Sequence, residues 1–196
     1  MKRKAVIICP GGGYGHLSAR EDEPIARQYL AMGCHVFVLH YSLAPARFPT
    51  ALLELALLVS TVREHAQEWG IDPAGIVVSG FSAGGHLACS LGVHWNKSWL
   101  SEPLGLKAEQ IRPDGMILCY PVVTAGEWGS QRIHRAPFMG TTGRDGKKLR
   151  WKAVRRNMRS AEERFRWSCR SGHILRRFFC GIRSQIRQFR FRTHCC

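Results

Sequence analysis

Apolar residues fall in short continuous runs bounded by glycine and proline, and between these runs their spacing lengthens to that of helices. Ala5-Val6-Ile7-Ile8-Cys9 stops at Pro10-Gly11-Gly12-Gly13, which predicts a buried strand feeding a glycine loop. Residues 21–32 space Ile25, Tyr29 and Met32 as a helix does, with Gly33 ending it, and residues 34–39 predict a second buried strand. Ala44-Pro45 and Phe48-Pro49 break the chain. Thr50 is placed to cap a helix that runs to about Trp69 with Leu52, Leu55, Leu58, Val59 and Val62 on one side, and Gly70 closes it. Asp72-Pro73 predicts a turn, residues 75–79 a third strand, residues 80–85 a sharp turn, residues 86–93 a helix, and residues 116–120 a fourth strand ended by Pro121.

Strands alternate with helices and are apolar on both faces, so the expected architecture is α/β: a parallel sheet with helices on both faces. Right-handed crossovers then gather the carboxyl ends of the strands, and the loops after them, on one edge. Beyond Thr141 the pattern changes. Gly143-Arg144-Asp145-Gly146-Lys147-Lys148 is a polar loop, and residues 151–196 are dense in arginine without a long apolar run.

Composition sharpens that division. The chain has 196 residues, 45% of them hydrophobic, which is enough for a core and excludes disorder throughout. The formal net charge is +15. Residues 1–150 hold 16 Lys+Arg against 12 Asp+Glu, whereas residues 151–196 hold 13 against 2. We therefore divide the chain into a core at 1–142 and a basic tail at 143–196, expected to be poorly ordered or non-native. In the tail, Trp151, Phe165, Trp167 and Phe189 interleave with the basic residues, a composition that also suits nonspecific binding to nucleic acid or an acidic membrane. Cys9, Cys34, Cys89 and Cys119 lie in or beside apolar runs and read as buried thiols of a reducing, cytoplasmic compartment. Cys169, Cys180, Cys195 and Cys196 lie in the tail, and with no Cys-x-x-Cys pair no zinc site is expected. No run reaches the length of a membrane span, and the apolar run after Met1-Lys2-Arg3-Lys4 is too short for a signal peptide.

Gly80-Phe81-Ser82-Ala83-Gly84 is a Gly-x-Ser-x-Gly string that follows a predicted strand and opens a predicted helix, the setting of a nucleophile elbow. There the serine adopts a strained backbone, and Gly80 and Gly84 let neighbouring chain approach closely. The helix aims free N–H groups at the site, so Ala83 N–H is placed to stabilise an oxyanion. Pro10-Gly11-Gly12-Gly13-Tyr14 ends another strand on the same edge and is placed to supply further N–H groups. The competing readings are an ordinary strand-to-helix turn at Ser82 and a phosphate loop at Gly11, Gly12 and Gly13, although neither a Gly-x-Gly-x-x-Gly string nor a Walker lysine accompanies the latter. His35, His40, His65 and His94 read as core-edge or surface residues, and the six tryptophans as packing residues.

Residues 10–14, Tyr41-Ser42-Leu43-Ala44-Pro45, residues 79–86 and residues 114–121 together resemble the α/β-hydrolase esterases, in particular the acetyl-xylan-esterase-like and hormone-sensitive-lipase-like carboxylesterases, over about residues 5–140. The resemblance implies that Ser82 is an acyl-accepting nucleophile and that Gly12, Gly13 and Ala83 supply oxyanion N–H groups. It also implies a small ester, or an acetylated carbohydrate, as substrate, with no metal or cofactor. It further implies a triad in the order serine, acid, histidine, yet the acid and histidine are not identifiable. His86 is tethered one helical turn after Ser82 and reads as a packing or capping residue, which leaves Asp145 with His173 or His194 as the formal combination. A serine without a base is a weak nucleophile, so the chain is expected to be slow or inactive. The fold's earlier strands also precede the point at which this sequence starts, so the core is expected to be incomplete at both ends. Residues 178–196, read in a frame moved by one nucleotide, permit a sequence like the acid-bearing segment of the same esterases. The missing aspartate would be encoded across Gln185 and Ile186, and the gene's codons there decide whether the tail is out of frame.

Overall fold

The continuous apolar runs become strands because both of their faces are covered. The computed structural model describes residues 2–123 and the backbone of a strand at Leu175–Phe179. Strands β1 (Arg3–Cys9), β2 (His35–His40), β3 (Ile71–Phe81), β4 (Gly115–Cys119) and β5 (Leu175–Phe179) form one sheet in the order β4-β3-β1-β2-β5, every pairing parallel. Helices α1 (Glu23–Ala31), α2 (Thr50–Glu64) and α3 (Ala83–His94) follow β1, β2 and β3, and two short helices, α4 (Ser98–Ser101) and α5 (Ala108–Ile111), precede β4.

Successive strand side chains point to opposite faces. Val6, Ile8, Val36 and Val38 therefore meet Ala26, Ile25 and Tyr29 of α1, while Ala5, Ile7, Cys9, Phe37, Leu39, Ile76 and Val78 enter the larger core with α2 and α3. Ser79 is buried on the α1 face, where its hydroxyl lies 3.2 Å from the Tyr29 hydroxyl. The register aligns the strand ends: Cys9 lies beside Gly80, Gly80 beside Leu118, and Phe81 beside Cys119. The residues that leave β1, β3 and β4 thus emerge side by side on one edge.

Several boundaries differ from the sequence pattern. Thr50 does not cap α2: the cap position is Pro49, Leu53 N–H bonds to its carbonyl at 2.9 Å, and Thr50 is already helical. Thr50 N–H bonds to the Arg47 carbonyl at 2.9 Å, so the turn through Pro49 runs straight into the helix one residue early. It also ends at Glu64 rather than near Trp69, since the chain turns through residues 65–70, where His65 stacks on Trp69 at 4.8 Å between ring centroids. α2 is buried nearly all round rather than along one stripe, and even Glu54 is fully buried, with both carboxylate oxygens bound to the N–H and hydroxyl of Ser42. Asp72-Pro73 lies inside the span of β3, yet the turn persists: the register jumps from Arg3 opposite Ile71 to Ala5 opposite Ile76, so β3 carries extra residues there.

Within the segment read as a tail, β5 pairs with β2, from Val36 opposite Leu175 to His40 opposite Phe179. Leu175-Arg176-Arg177-Phe178-Phe179 lacks the continuous apolar run of the inner strands, but an edge strand is held by its backbone ladder and need not be apolar on both faces. The other residues of the tail, including Asp145, His173, His194 and the four late cysteines, lie outside the described residues, and the expectations attached to them lie there too. Cys9 is buried, whereas Cys34, Cys89 and Cys119 are half-buried, and all four are free thiols. Among the described residues no helix is long and apolar enough to cross a membrane.

The start of β4 is fastened by Arg63. Its guanidinium donates to the carbonyls of Pro73 (3.2 Å), Gln110 (2.7 Å) and Arg112 (2.8 Å) and to the Asp114 carboxylate (2.8 Å), which also accepts Ile76 N–H at 3.0 Å. Only a planar fork reaches so many acceptors at once. Arg63→Ala is expected to lower stability by about 2 kcal/mol, and Arg63→Lys to recover less than half of that, read as a fall in urea midpoint at unchanged slope.

Candidate active site

The turn at Ser82 is forced by its neighbours. Ser82 has φ 50° and ψ −113°, a backbone that residues with a side chain rarely adopt. Three hydrogen bonds hold it there: Ser82 N–H to the Cys119 carbonyl (3.0 Å), and His86 N–H (3.0 Å) and Val122 N–H (3.4 Å) to the Ser82 carbonyl. The bend is therefore pinned between the first turn of α3 and the end of β4. A Cβ on Gly84 would run into the Cys9 carbonyl oxygen, and one on Gly80 into the Gly84 carbonyl oxygen, so both flanking glycines are required sterically. Gly85 carries a similar demand that the string did not signal, since a Cβ there would lie 2.9 Å from Pro121 Cβ.

The glycine loop packs directly against this turn. A Cβ on Gly11 would lie 3.0 Å from Ser82 Cβ and 2.8 Å from the Phe81 carbonyl oxygen, so the two segments are in contact. Gly12 and Gly13 have φ of 126° and 62°, and Tyr14 follows at 60°. The loop closes through Gly15 N–H and His16 N–H to the Gly12 carbonyl (3.1 and 3.3 Å) and Ser18 N–H to the Gly11 carbonyl (2.9 Å). The N–H groups of Gly12 and Gly13 take no backbone acceptor among the described residues. Ala83 N–H lies in the first turn of α3, where an intrahelical acceptor is lacking. Ser82 is half-buried and neither sealed into the core nor free in solvent.

Side chains outside the two strings hold the loop in place. Tyr41 hydroxyl donates to the Pro10 carbonyl at 2.6 Å, its ring packs 5.5 Å from that of Tyr14, and Ala44 N–H bonds to the Tyr14 carbonyl at 2.9 Å. Tyr14 hydroxyl lies 2.8 Å from His86 Nδ1. Burial pushes the Tyr14 and Tyr41 hydroxyls and the Cys9 thiol well above their ordinary ionisation ranges, so all three remain neutral. Burial also lowers the His86 pKa, favouring the neutral ring that can accept from Tyr14. His86 thus joins loop to helix, in keeping with the packing role read from its position. His40 pairs with Asp22 at 2.6 Å at the end of β2, beyond β1 from the Ser82 turn, and His94 packs against Trp99. Glu21 accepts Gly11 N–H and the Tyr120 hydroxyl, each at 2.7 Å. Sequence spacing did not single out Glu21 or Tyr120, because one reads as a helix start and the other as a strand end.

Comparison with known proteins agrees with this fold. A sequence model described as the alpha/beta hydrolase fold matches residues 6–164. The chain is 33% identical to endo-1,4-beta-xylanase B of Butyrivibrio fibrisolvens over 132 residues, covering 65% of this chain and 21% of that protein. It is 30% identical to an acetylxylan esterase of Xylanibacter ruminicola over 149 residues, covering 74% and 28%. Among solved structures it resembles an acetyl ester-xyloside bifunctional hydrolase from Caldicellulosiruptor lactoaceticus, with a TM-score of 0.62 and 35% identity, covering 71% of this chain and 51% of that one. The chain thus spans about half the length of that structure and under a third of the two curated relatives.

The His86 pKa sets the sign of one pH effect. Its folded value lies below the ordinary 6.5, so the unfolded chain binds the extra proton first, and stability falls as pH drops below 6.5 toward the folded value. His86→Gln keeps an acceptor for Tyr14 but does not titrate. Urea midpoints between pH 7.5 and 5 are expected to fall less steeply in this variant, and an unchanged slope would show that His86 is not a source of the acid sensitivity.

Proposed function

This chain belongs to the α/β-hydrolase family, and we propose that it is a carboxylic-ester hydrolase that works through an acyl-serine at Ser82. The observation that carries this reading is the meeting of a left-handed serine backbone with a glycine loop at one point: Ser82 at φ 50°, with Gly11 so close that a Cβ there would lie 3.0 Å from Ser82 Cβ. Ser82 Oγ attacks the ester carbonyl carbon. The carbonyl oxygen becomes an oxyanion, met by the N–H groups of Gly12, Gly13 and Ala83; it collapses, the ester C–O bond breaks, and the Ser82 hydroxyl proton passes through water to the departing oxygen, so that the alcohol leaves as the acyl-serine forms. Water then releases the acid. No metal or cofactor enters these steps. The relatives whose names speak of xylan, xyloside and acetyl ester favour a small ester or an acetylated carbohydrate as substrate.

Within this reading the chain is a slow catalyst. His86 Nδ1 is engaged with Tyr14, and its lowered pKa reflects burial rather than a charged partner. Oxyanion groups acting without a general base retain only a small part of the triad's acceleration, roughly 10³–10⁴-fold over water. With p-nitrophenyl acetate we expect slow release of p-nitrophenolate that disappears in Ser82→Ala. Equal rates in wild type and Ser82→Ala would overturn the assignment of the nucleophile, whereas fast Ser82-dependent turnover would show that a working base is present.

A further inference from the structure

We propose that Glu21 is a positioning residue, a carboxylate strap that holds the glycine loop against Ser82 with Tyr120 as its second anchor; this rests on the reading of Ser82 as nucleophile. The sheet order places β3, which leads into Ser82, between β1 and β4. Gly11 lies just beyond the end of β1, and Tyr120 directly follows β4. Glu21 Oε2 accepts Gly11 N–H at 2.7 Å and Oε1 accepts the Tyr120 hydroxyl at 2.7 Å, so one carboxylate joins the two flanks of the strand that carries the nucleophile.

The surroundings show how tightly this strap is built. A Cβ on Gly11 would lie 2.7 Å from Glu21 Oε2, 2.8 Å from the Phe81 carbonyl oxygen and 3.0 Å from Ser82 Cβ, so carboxylate, elbow and loop converge on one glycine. Tyr120 has φ 39°, an uncommon backbone for a tyrosine, and its ring lies edge-on to Phe81 at 6.1 Å. It is 64% exposed, so burial does not fix its position; the hydroxyl bond to Glu21 and the bonds from Ser82 N–H to Cys119 and from Val122 N–H to Ser82 on either side of it do. Fixing Gly11 fixes where the next two N–H groups point, and oxyanion stabilisation depends on that direction. The negative charge of Glu21 opposes an oxyanion, so the strap acts through geometry and not through its charge.

A boronic acid that forms a tetrahedral adduct with Ser82 tests this without requiring turnover. Adduct formation with phenylboronic acid is followed by boron NMR in the wild type, Glu21→Ala, Glu21→Gln and Tyr120→Phe, with Ser82→Ala as control. Glu21→Ala is expected to weaken the adduct by about 10- to 100-fold, and Tyr120→Phe by a few fold. Glutamine keeps an acceptor for Gly11 N–H and offers an N–H to the Tyr120 oxygen, so Glu21→Gln is expected to bind at least as well as wild type. Wild-type affinity in Glu21→Ala, or loss in Glu21→Gln as large as in Glu21→Ala, would overturn the strap alone. Failure of the wild type to form a Ser82-dependent adduct would overturn both the strap and the nucleophile. Glu21→Gln and Tyr120→Phe keep the size of the side chains they replace, so the test stands if Glu21→Ala fails to fold.

Discussion

Everything at this edge of the sheet depends on a close approach of main chain to main chain. The first turn of α3 passes so near the end of β1 that a single methyl group on Gly84 would meet the Cys9 carbonyl. That approach brings the loop after β1 against the turn after β3 and leaves Ser82 the backbone conformation it has. A non-glycine residue held in such a region costs on the order of 1–3 kcal/mol, and the cost is borne by the hydrogen bonds that surround the turn, from Ser82 N–H to the Cys119 carbonyl and from His86 and Val122 N–H to the Ser82 carbonyl. The strain is a consequence of packing, and it holds Ser82 half-buried at the turn beside the glycine loop.

The same packing explains the polar residues that look out of place in an apolar core. Glu54 sits fully buried in α2 because both its oxygens hold Ser42, next to the tyrosine that fastens the Pro10 carbonyl. Tyr14 and His86 form a neutral pair for a related reason: a buried hydroxyl needs an acceptor, and a buried imidazole is favoured in the form that provides one. Each of these bonds ends on the loop of residues 10–14 or on the segment just after β2. Polar groups are buried here where backbone would otherwise be free to move.

The first four strands, their parallel direction and the placement of the two glycine-bearing strings on one edge follow from features that sequence displays openly: runs apolar on both faces and glycines at strand ends. What was not legible depended on distance through space. Glu21 looks like the start of a helix, and nothing in its spacing shows that it reaches Gly11 on one side and Tyr120, 99 positions away, on the other. Thr50 looks like a cap, but Pro49 occupies the cap position and Thr50 is the first helical residue. β5 was hidden because Arg176 and Arg177 interrupt its apolar residues, and backbone pairing alone places it beside β2. His86 was legible in position but not in partner.

The central claim is that the bend at Ser82 presents a nucleophile to the N–H groups of Gly12, Gly13 and Ala83. A crystal structure of the chain after reaction with a fluorophosphonate tests it most directly. The account predicts phosphorus bonded to Ser82 Oγ, with the phosphoryl oxygen within hydrogen-bond distance of those amides. A chain that stays unmodified at Ser82, or an adduct whose phosphoryl oxygen turns away from the glycine loop, would contradict it.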